Sequence, residues 1–182
     1  MATLQMSESE LVAALRKGDA QAQRSAYDLH ARKLYPVCLR YMGSEMAAQD
    51  CLQDSFIIIF KRIDQFRNDG PLVGWMRKVA VNVCLTALRN RKVEEVEMGS
   101  EAELQYIEDT GALGTMTASD LIGLIRALPD GYREVFNLHA IEGYPHHEVA
   151  SMLGISETNS KVRLSRARLM LQQSLERMIV KS

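Results

Sequence analysis

The sequence predicts an all-α protein: two small helical domains joined by a linker, the second carrying a helix-turn-helix. Three observations predict it. Apolar residues recur three or four positions apart in several blocks, and no stretch alternates with turn signals as strands do. Among the 182 residues only 11 are Gly and 4 are Pro, while helix-favouring Leu, Ala, Met, Glu and Arg abound. The periodic blocks are interrupted once, by an acidic stretch over 93–118 with little apolar periodicity.

Taken in order, Ser7 or Ser9 is the candidate cap of a first helix through Lys17, with Leu11, Val12 and Leu15 inward and Gly18 closing it. Asp19 caps a second, through Tyr27 and Leu34 toward Tyr41, where Pro36 predicts a kink or a boundary. Gly43 ends it and Ser44 caps the third. Ala48, Leu52, Phe56, Ile59, Ile63 and Phe66 trace one stripe over 46–66. The all-apolar run Phe56–Phe60 predicts burial on more than one side, and Asp50, Gln53 and Asp54 mark the opposite face. Arg67–Pro71 is a loop. Trp75 opens the fourth helix, with Trp75, Val79, Val83 and Leu88 inward. These segments form the first domain, 1–92. The linker, 93–118, has a candidate short helix at 101–108.

The second domain, 119–182, begins with a helix capped by Ser119 or Asp120, with Leu121, Leu124, Ile125 and Leu128 inward and Pro129 as its stop. A helix over Tyr132–Ile141 ends at Gly143. Then Val149, Leu153 and Ile155 bracket a Gly154 turn, and Ser160, Leu164, Ala167 and Leu171 follow at spacings of four, three and four. Two short helices around a glycine turn make a helix-turn-helix, with Ser156 as N-cap of the second. The outward positions Thr158, Asn159, Val162, Arg163 and Arg166 form a face suited to a DNA major groove.

Charge placement supports that reading. The net charge is only −1. Yet Trp75–Lys92 holds five bases and no acids, and Ile155–Ser182 holds six bases and two acids, or +4. Between them 93–120 holds eight acids (Glu94, Glu95, Glu97, Glu101, Glu103, Glu108, Asp109, Asp120) and no Lys or Arg. A near-neutral total hides two candidate anion-binding surfaces. No apolar run reaches the ~20 residues of a membrane span, and the first residues lack a signal-peptide pattern, so the expectation is a cytoplasmic protein without membrane insertion. Cys38, Cys51 and Cys84 fit no metal spacing and read as reduced core thiols. His146 and His147 lack a third ligand nearby. No nucleophile–base pair, phosphate loop or carboxylate dyad stands out, so neither catalysis nor a cofactor or metal is expected.

Both halves resemble bacterial RNA polymerase sigma factors of the extracytoplasmic-function (ECF) group. The resemblance rests on Leu34–Gly43 (LYPVCLRYMG), Ala47–Phe60 (AAQDCLQDSFIIIF), Gly74–Lys92 (GWMRKVAVNVCLTALRNRK) and Leu128–Arg168. It implies a specificity subunit that binds core RNA polymerase and promoter DNA. The first domain would bind polymerase and melt the minus-ten element, and the second would read the minus-thirty-five element. An anti-sigma factor is a further partner the resemblance raises.

The resemblance also distributes roles. Asp50, Gln53 and Asp54, with Phe56 buried behind them, fall where the family meets polymerase. The loop Gln65–Leu72, with Gln65, Arg67 and Asn68, falls where it reads the minus-ten strand. Trp75, Arg77, Lys78, Asn82, Arg89, Arg91 and Lys92 fit a melting surface in residue type. Trp75 reads as a core anchor ahead of a stacking platform, and Arg89, Arg91 and Lys92 as phosphate contacts. In the recognition helix Asn159 suits adenine and the arginines suit guanine, while Lys161 and Arg168 fall to phosphates. The chain departs from the family pattern at Thr86, where an acid is usual. It departs also at Thr158 and Ser160, where Gly and Val are usual, the latter predicting looser packing. Pro145 replaces a capping Ser. Two other readings of the residues stay open: a one-component helix-turn-helix regulator, and a helical adaptor that binds only protein.

Overall fold

The structure is a computed structural model that describes residues 6–97 and 117–180, with side chains described over 6–91 and 117–178. The chain divides into two compact units between Lys92 and Val93. Every regular element among the described residues is helical.

In the first unit, α1 (Glu8–Arg16) opens on a reciprocal cap: Glu10 N–H donates to Ser7 Oγ, and Ser7 N–H donates to the Glu10 carboxylate. Leu11, Val12 and Leu15 are buried as their spacing predicts, and Gly18 turns the chain at φ +72°. Asp19 caps α2 (Ala20–Met42), which Gly43 closes in the left-handed region. Pro36 marks no boundary, because α2 runs through it without a break. The proline removes one backbone donor, but Leu34, Val37, Cys38 and Tyr41 around it are all buried, and that burial outweighs a penalty of about 3 kcal/mol.

Ser44 caps α3 (Glu45–Lys61), which packs along α2. The helix ends five residues earlier than its stripe suggests. Arg62 leaves helical geometry, and Ile63–Gln65 forms a 3₁₀ turn that still buries Ile63 and, after it, Phe66. The run Phe56–Phe60 is not buried all round: Ile57 is 44% exposed. Helix α4 (Leu72–Glu97) begins before Trp75, and its inward face is Leu72, Met76, Ala80, Cys84 and Leu88 with Val81 and Leu85. Trp75, Val79 and Val83 are only half-buried. Two apolar stripes lie side by side on this helix. The one with small Ala80 and Cys84 allows the closer approach and so faces the core. The three free cysteines are buried, and Cys84 is in hydrogen-bond contact with Cys38 and Cys51. Those contacts, Cys38 first, together with burial push the Cys84 thiol up. α4 continues to Glu97, so the first residues of the expected linker are helical. The short helix expected at 101–108 lies outside the described residues.

In the second unit, α5 (Ala118–Arg126) is capped by Thr117, not by Ser119 or Asp120. Asp120 instead completes a capping box with Thr117. Ile125 and Leu128 are buried and Leu124 is half-buried, but Leu121, expected inward, is 43% exposed. α6 (Asp130–Phe136) starts two residues before Tyr132 and passes into a π turn, Asn137–Ile141, where Glu142 N–H donates to Asn137 O. Buried Arg133 ties this corner by donating to Arg126 O, Leu128 O and Asp130. α7 (His146–Leu153) and α8 (Glu157–Val180) form the helix-turn-helix around Gly154 at φ +65°. Leu128, Ala167 and Leu171 form a core cluster, flanked by Leu124, Tyr132, Phe136 and Met170. Among the described residues no helix is long and apolar enough to cross a membrane.

Candidate nucleic-acid interface

α8 separates its two faces as its sequence predicts. Ser160, Leu164, Ala167 and Leu171 are all buried. Thr158, Asn159, Lys161, Val162, Arg166 and Arg168 are exposed, and Arg163 is half-buried. Ser156 caps the helix, its Oγ accepting from Asn159 N–H at 3.1 Å. A cavity of about 550 Å³ opens beside this face, lined by Pro129, Gly131, Tyr132, Asn159, Val162, Arg163 and Arg166. Arg163 crosses it: Nε donates to Asn159 Oδ1 at 3.0 Å, and a Cβ at Gly131 would lie 3.0 Å from Nη1. Lys161 pairs with Glu157 at 2.7 Å, one turn back. Two expected readers, Asn159 and Arg163, are therefore joined to one another.

Ser160 is not loosely packed. It is wholly buried, and its Oγ is 2.9 Å from His146 Nδ1, so a hydrogen bond between α7 and α8 takes the place of a methyl contact. The His146 ring stacks on His139 with centroids 4.0 Å apart and planes 13° off parallel. His139 Nδ1 meets Tyr144 O at 2.8 Å; a carbonyl only accepts, so that nitrogen carries the proton. Burial, then His139 and Lys161, hold His146 below the usual histidine range, with Glu157 opposing. His147 is exposed. No group of three metal-ligating side chains occurs among the described residues. Pro145 stands at the N-cap of α7, one position earlier than the first helical turn, and caps it with no side chain.

In the first unit, α4 sorts its expected residues into two sets. At 100° per residue, Trp75, Lys78, Asn82, Thr86 and Arg89 fall within a sector of roughly 80°. Lys78, Asn82 and Arg89 there are exposed. Arg77 and Arg91 fall on the packed side and are half-buried, so the bases of α4 do not form one surface. The Lys92 side chain lies outside the described residues. Trp75 packs its ring 5.8 Å from Phe66, as an anchor does, while part of its surface stays open. Thr86 donates to Asn82 O at 2.9 Å, filling its own hydrogen bond where the family pattern has an acid. Gln65, Arg67 and Asn68 are exposed at the loop before α4, and Asn68 adopts φ +57°.

On α3, Asp50, Gln53 and Asp54 are exposed in line with Met46 and Ile57, which are 75% and 44% exposed. Phe56 is buried behind them, its ring 4.7 Å from Tyr27 and 5.7 Å from Phe60. Sequence reasoning missed the apolar ends of this stripe, because the run Phe56–Phe60 looked uniformly internal. It also missed Gly131, which underlies Arg163, and Glu8 and Arg16, which bond to the loop before α4. Nothing in local spacing signals contacts made across 50 and 64 residues.

Comparison with known proteins gives the same division. Residues 26–93 match the family Sigma-70 region 2, and residues 119–171 match Sigma-70, region 4. The chain is 26% identical to the ECF RNA polymerase sigma factor SigW of Bacillus subtilis, over 94% of this chain and 98% of that protein. It is 29% identical to ECF sigma factor SigM of Mycobacterium tuberculosis, over 93% and 85%. Its fold is similar to that of CnrH, solved with the cytosolic domain of CnrY, at 24% identity and a TM-score of 0.50 over 93% and 97% of the two chains. Two helical units with this order of matched segments, and a helix-turn-helix in the second, identify the chain as a member of the ECF group of bacterial sigma-70 factors, which direct promoter-specific transcription initiation.

Proposed function

We propose that the two units divide the work of initiation, in the cytoplasm and on core RNA polymerase. The exposed stripe of α3, with Asp50, Gln53 and Asp54 and apolar ends at Met46 and Ile57, docks on polymerase. Its acids set register and its apolar side chains supply buried area. The loop Gln65–Leu72 and the Trp75–Arg89 face of α4 hold the opened minus-ten strand, with Lys78 and Arg89 on phosphates and the loop on bases. α8 enters the major groove at minus thirty-five, where Thr158, Asn159, Val162, Arg163 and Arg166 meet base edges and Lys161 and Arg168 meet phosphates. Affinity at each contact can be modest, because polymerase joins them into one event. The chain itself performs no catalysis. A partner that covers the DNA-binding faces, as an anti-sigma factor does, is its natural antagonist.

The observation that carries this reading is the partition of α8. The stripe Ser160, Leu164, Ala167 and Leu171 is buried, and Thr158, Asn159, Arg163 and Arg166, with exposed Val162 among them, are left outward at major-groove spacing. Transcription in vitro with core polymerase on a genomic fragment library tests it. Initiation from a defined set of sites, lost with Arg163→Ala and Arg166→Ala together, is expected. A folded protein that directs no initiation overturns the proposal.

A further inference from the structure

We infer that α1, through Glu8 and Arg16, is the clamp that holds the Phe66–Leu72 segment in its strand-reading shape; this rests on the reading of that loop given above. Arg16 Nη2 donates to Phe66 O at 2.6 Å, and Leu72 N–H donates to Glu8 Oε1 at 3.1 Å. The two bonds grip the backbone immediately before and immediately after Arg67–Pro71. Glu8 and Arg16 lie eight residues apart on one short helix, about 12 Å along its axis. That helix is locked to its unit by Leu11, Val12 and Leu15, each no more than 3% exposed.

Both bonds answer a local deficiency. Leu72 opens α4, and the first N–H groups of a helix have no partner within it. The preceding residue is Pro71, whose side chain cannot accept a hydrogen bond, so a carboxylate from α1 takes the cap's place. Its charge also faces the positive end of α4. At the other end, Phe66 follows a three-residue 3₁₀ turn and has no helix of its own to hold its carbonyl. The side chains of Phe66 and Leu72 are buried already, so the polar bonds fix backbone direction at two points that packing has placed. Between them Arg67, Asn68, Asp69 and Gly70 are exposed, curled by Asn68 at φ +57°. A loop pinned at both ends loses less conformational freedom when a strand binds it. Neither matched segment includes α1, since the first begins at residue 26. Glu8 and Arg16 are thus positioning residues that touch no nucleotide themselves.

The test uses holoenzyme assembled from core polymerase and full-length variants, with single-stranded minus-ten oligonucleotides that differ at one base. Glu8→Ala and Arg16→Ala each lower the affinity ratio between best and altered base by about tenfold, the order of one lost hydrogen bond to a charged group. Glu8→Gln keeps an acceptor and Arg16→Lys keeps a donor, and both stay near the wild-type ratio. Core-polymerase affinity and binding of minus-thirty-five duplex are unchanged throughout. A wild-type ratio in both alanine variants overturns the clamp, whatever happens to their melting temperature. Should Arg16→Ala fail to fold, Arg16→Met keeps the packed stem and removes only the donors, and is read in the same way. Asn68→Ala separates the two possible failures. Discrimination lost there but kept in Glu8→Ala and Arg16→Ala overturns the clamp alone. Discrimination kept in all of them overturns the loop as reader, and the clamp with it.

Discussion

At the scale of single residues, His146 and Ser160 join the two helices of the DNA-reading motif. A buried hydroxyl at a helix–helix contact costs stability unless it is bonded, and the imidazole 2.9 Å away supplies that bond. Burial and cationic neighbours lower the folded pKa of His146, so folding disfavours its protonation. Its contribution is therefore fully present above the unfolded histidine value of about 6.5 and is lost as pH falls through the lower folded value. Urea midpoints of the full chain at about pH 7.5 and pH 5.5 check this. Wild type is expected to lose more on acidification than His146→Gln, and an equal loss rejects the role. Arg163 is the second informative residue. Its bond to Asn159 makes the two a unit, so Asn159→Ala and Arg163→Ala are expected to be non-additive in promoter affinity. Arg163→Ala alone should cost about 1–3 kcal/mol of discrimination at one base pair, measured by competition among operator variants.

At the scale of elements, the helix ends are where local chemistry and burial compete. Ser7, Asp19, Ser44 and Ser156 all cap the helices their positions suggest, because a cap needs only the side chain and the next turn. Thr117 displaces Ser119 and Asp120 because Asp120 can answer it three residues on, which neither alternative offers. Gly154 is set by backbone alone: it sits at φ +65°, and the space around it is open. Gly154→Ala is therefore expected to destabilise by about 1–2 kcal/mol through left-handed strain, without a clash. Thermal unfolding of the full chain measures it, and no change in midpoint would mean that the turn relaxes. Inward faces were less legible. On α4 two neighbouring stripes fit the periodicity equally, and only burial in the folded unit, where Cys84 meets Cys38 of α2 and Cys51 of α3, selects Leu72, Met76, Ala80, Cys84 and Leu88. On α5 the stripe was right at Ile125 and Leu128 and wrong at Leu121, because a helix of nine residues is covered along only part of its length.

At the scale of the whole molecule, charge is segregated along the chain. Seven acids remain between the basic segments once Asp120 is assigned to the Thr117 cap (eight less one). Neutralising Glu94, Glu95, Glu97, Glu101, Glu103, Glu108 and Asp109 to amides is expected to raise non-specific duplex affinity at low salt by removing repulsion from phosphate. Unchanged affinity at low salt rejects that idea. Binding of duplex by the wild-type chain should fall steeply with salt, each phosphate contact adding about 0.9 to the slope of log K against log salt. A salt-independent affinity would instead favour a protein-only adaptor.

Sequence by itself determined the helical class, the order of the two matched segments, most N-caps and the inward stripe of α8. Each of these depends on residues within a turn or two of one another, where propensity, capping and 3.6-residue periodicity act directly. Only the tertiary structure decided that α2 runs through Pro36, that Leu72 and Met76 rather than Trp75 lead the core face of α4, and that Arg77 and Arg91 turn to its packed side. The same holds for His146 on Ser160, Arg163 over Gly131, and Glu8 and Arg16 at the loop before α4. These are choices among locally equivalent options, or bonds between residues far apart in the chain. What selects them is the burial and hydrogen bonding available once the helices have packed.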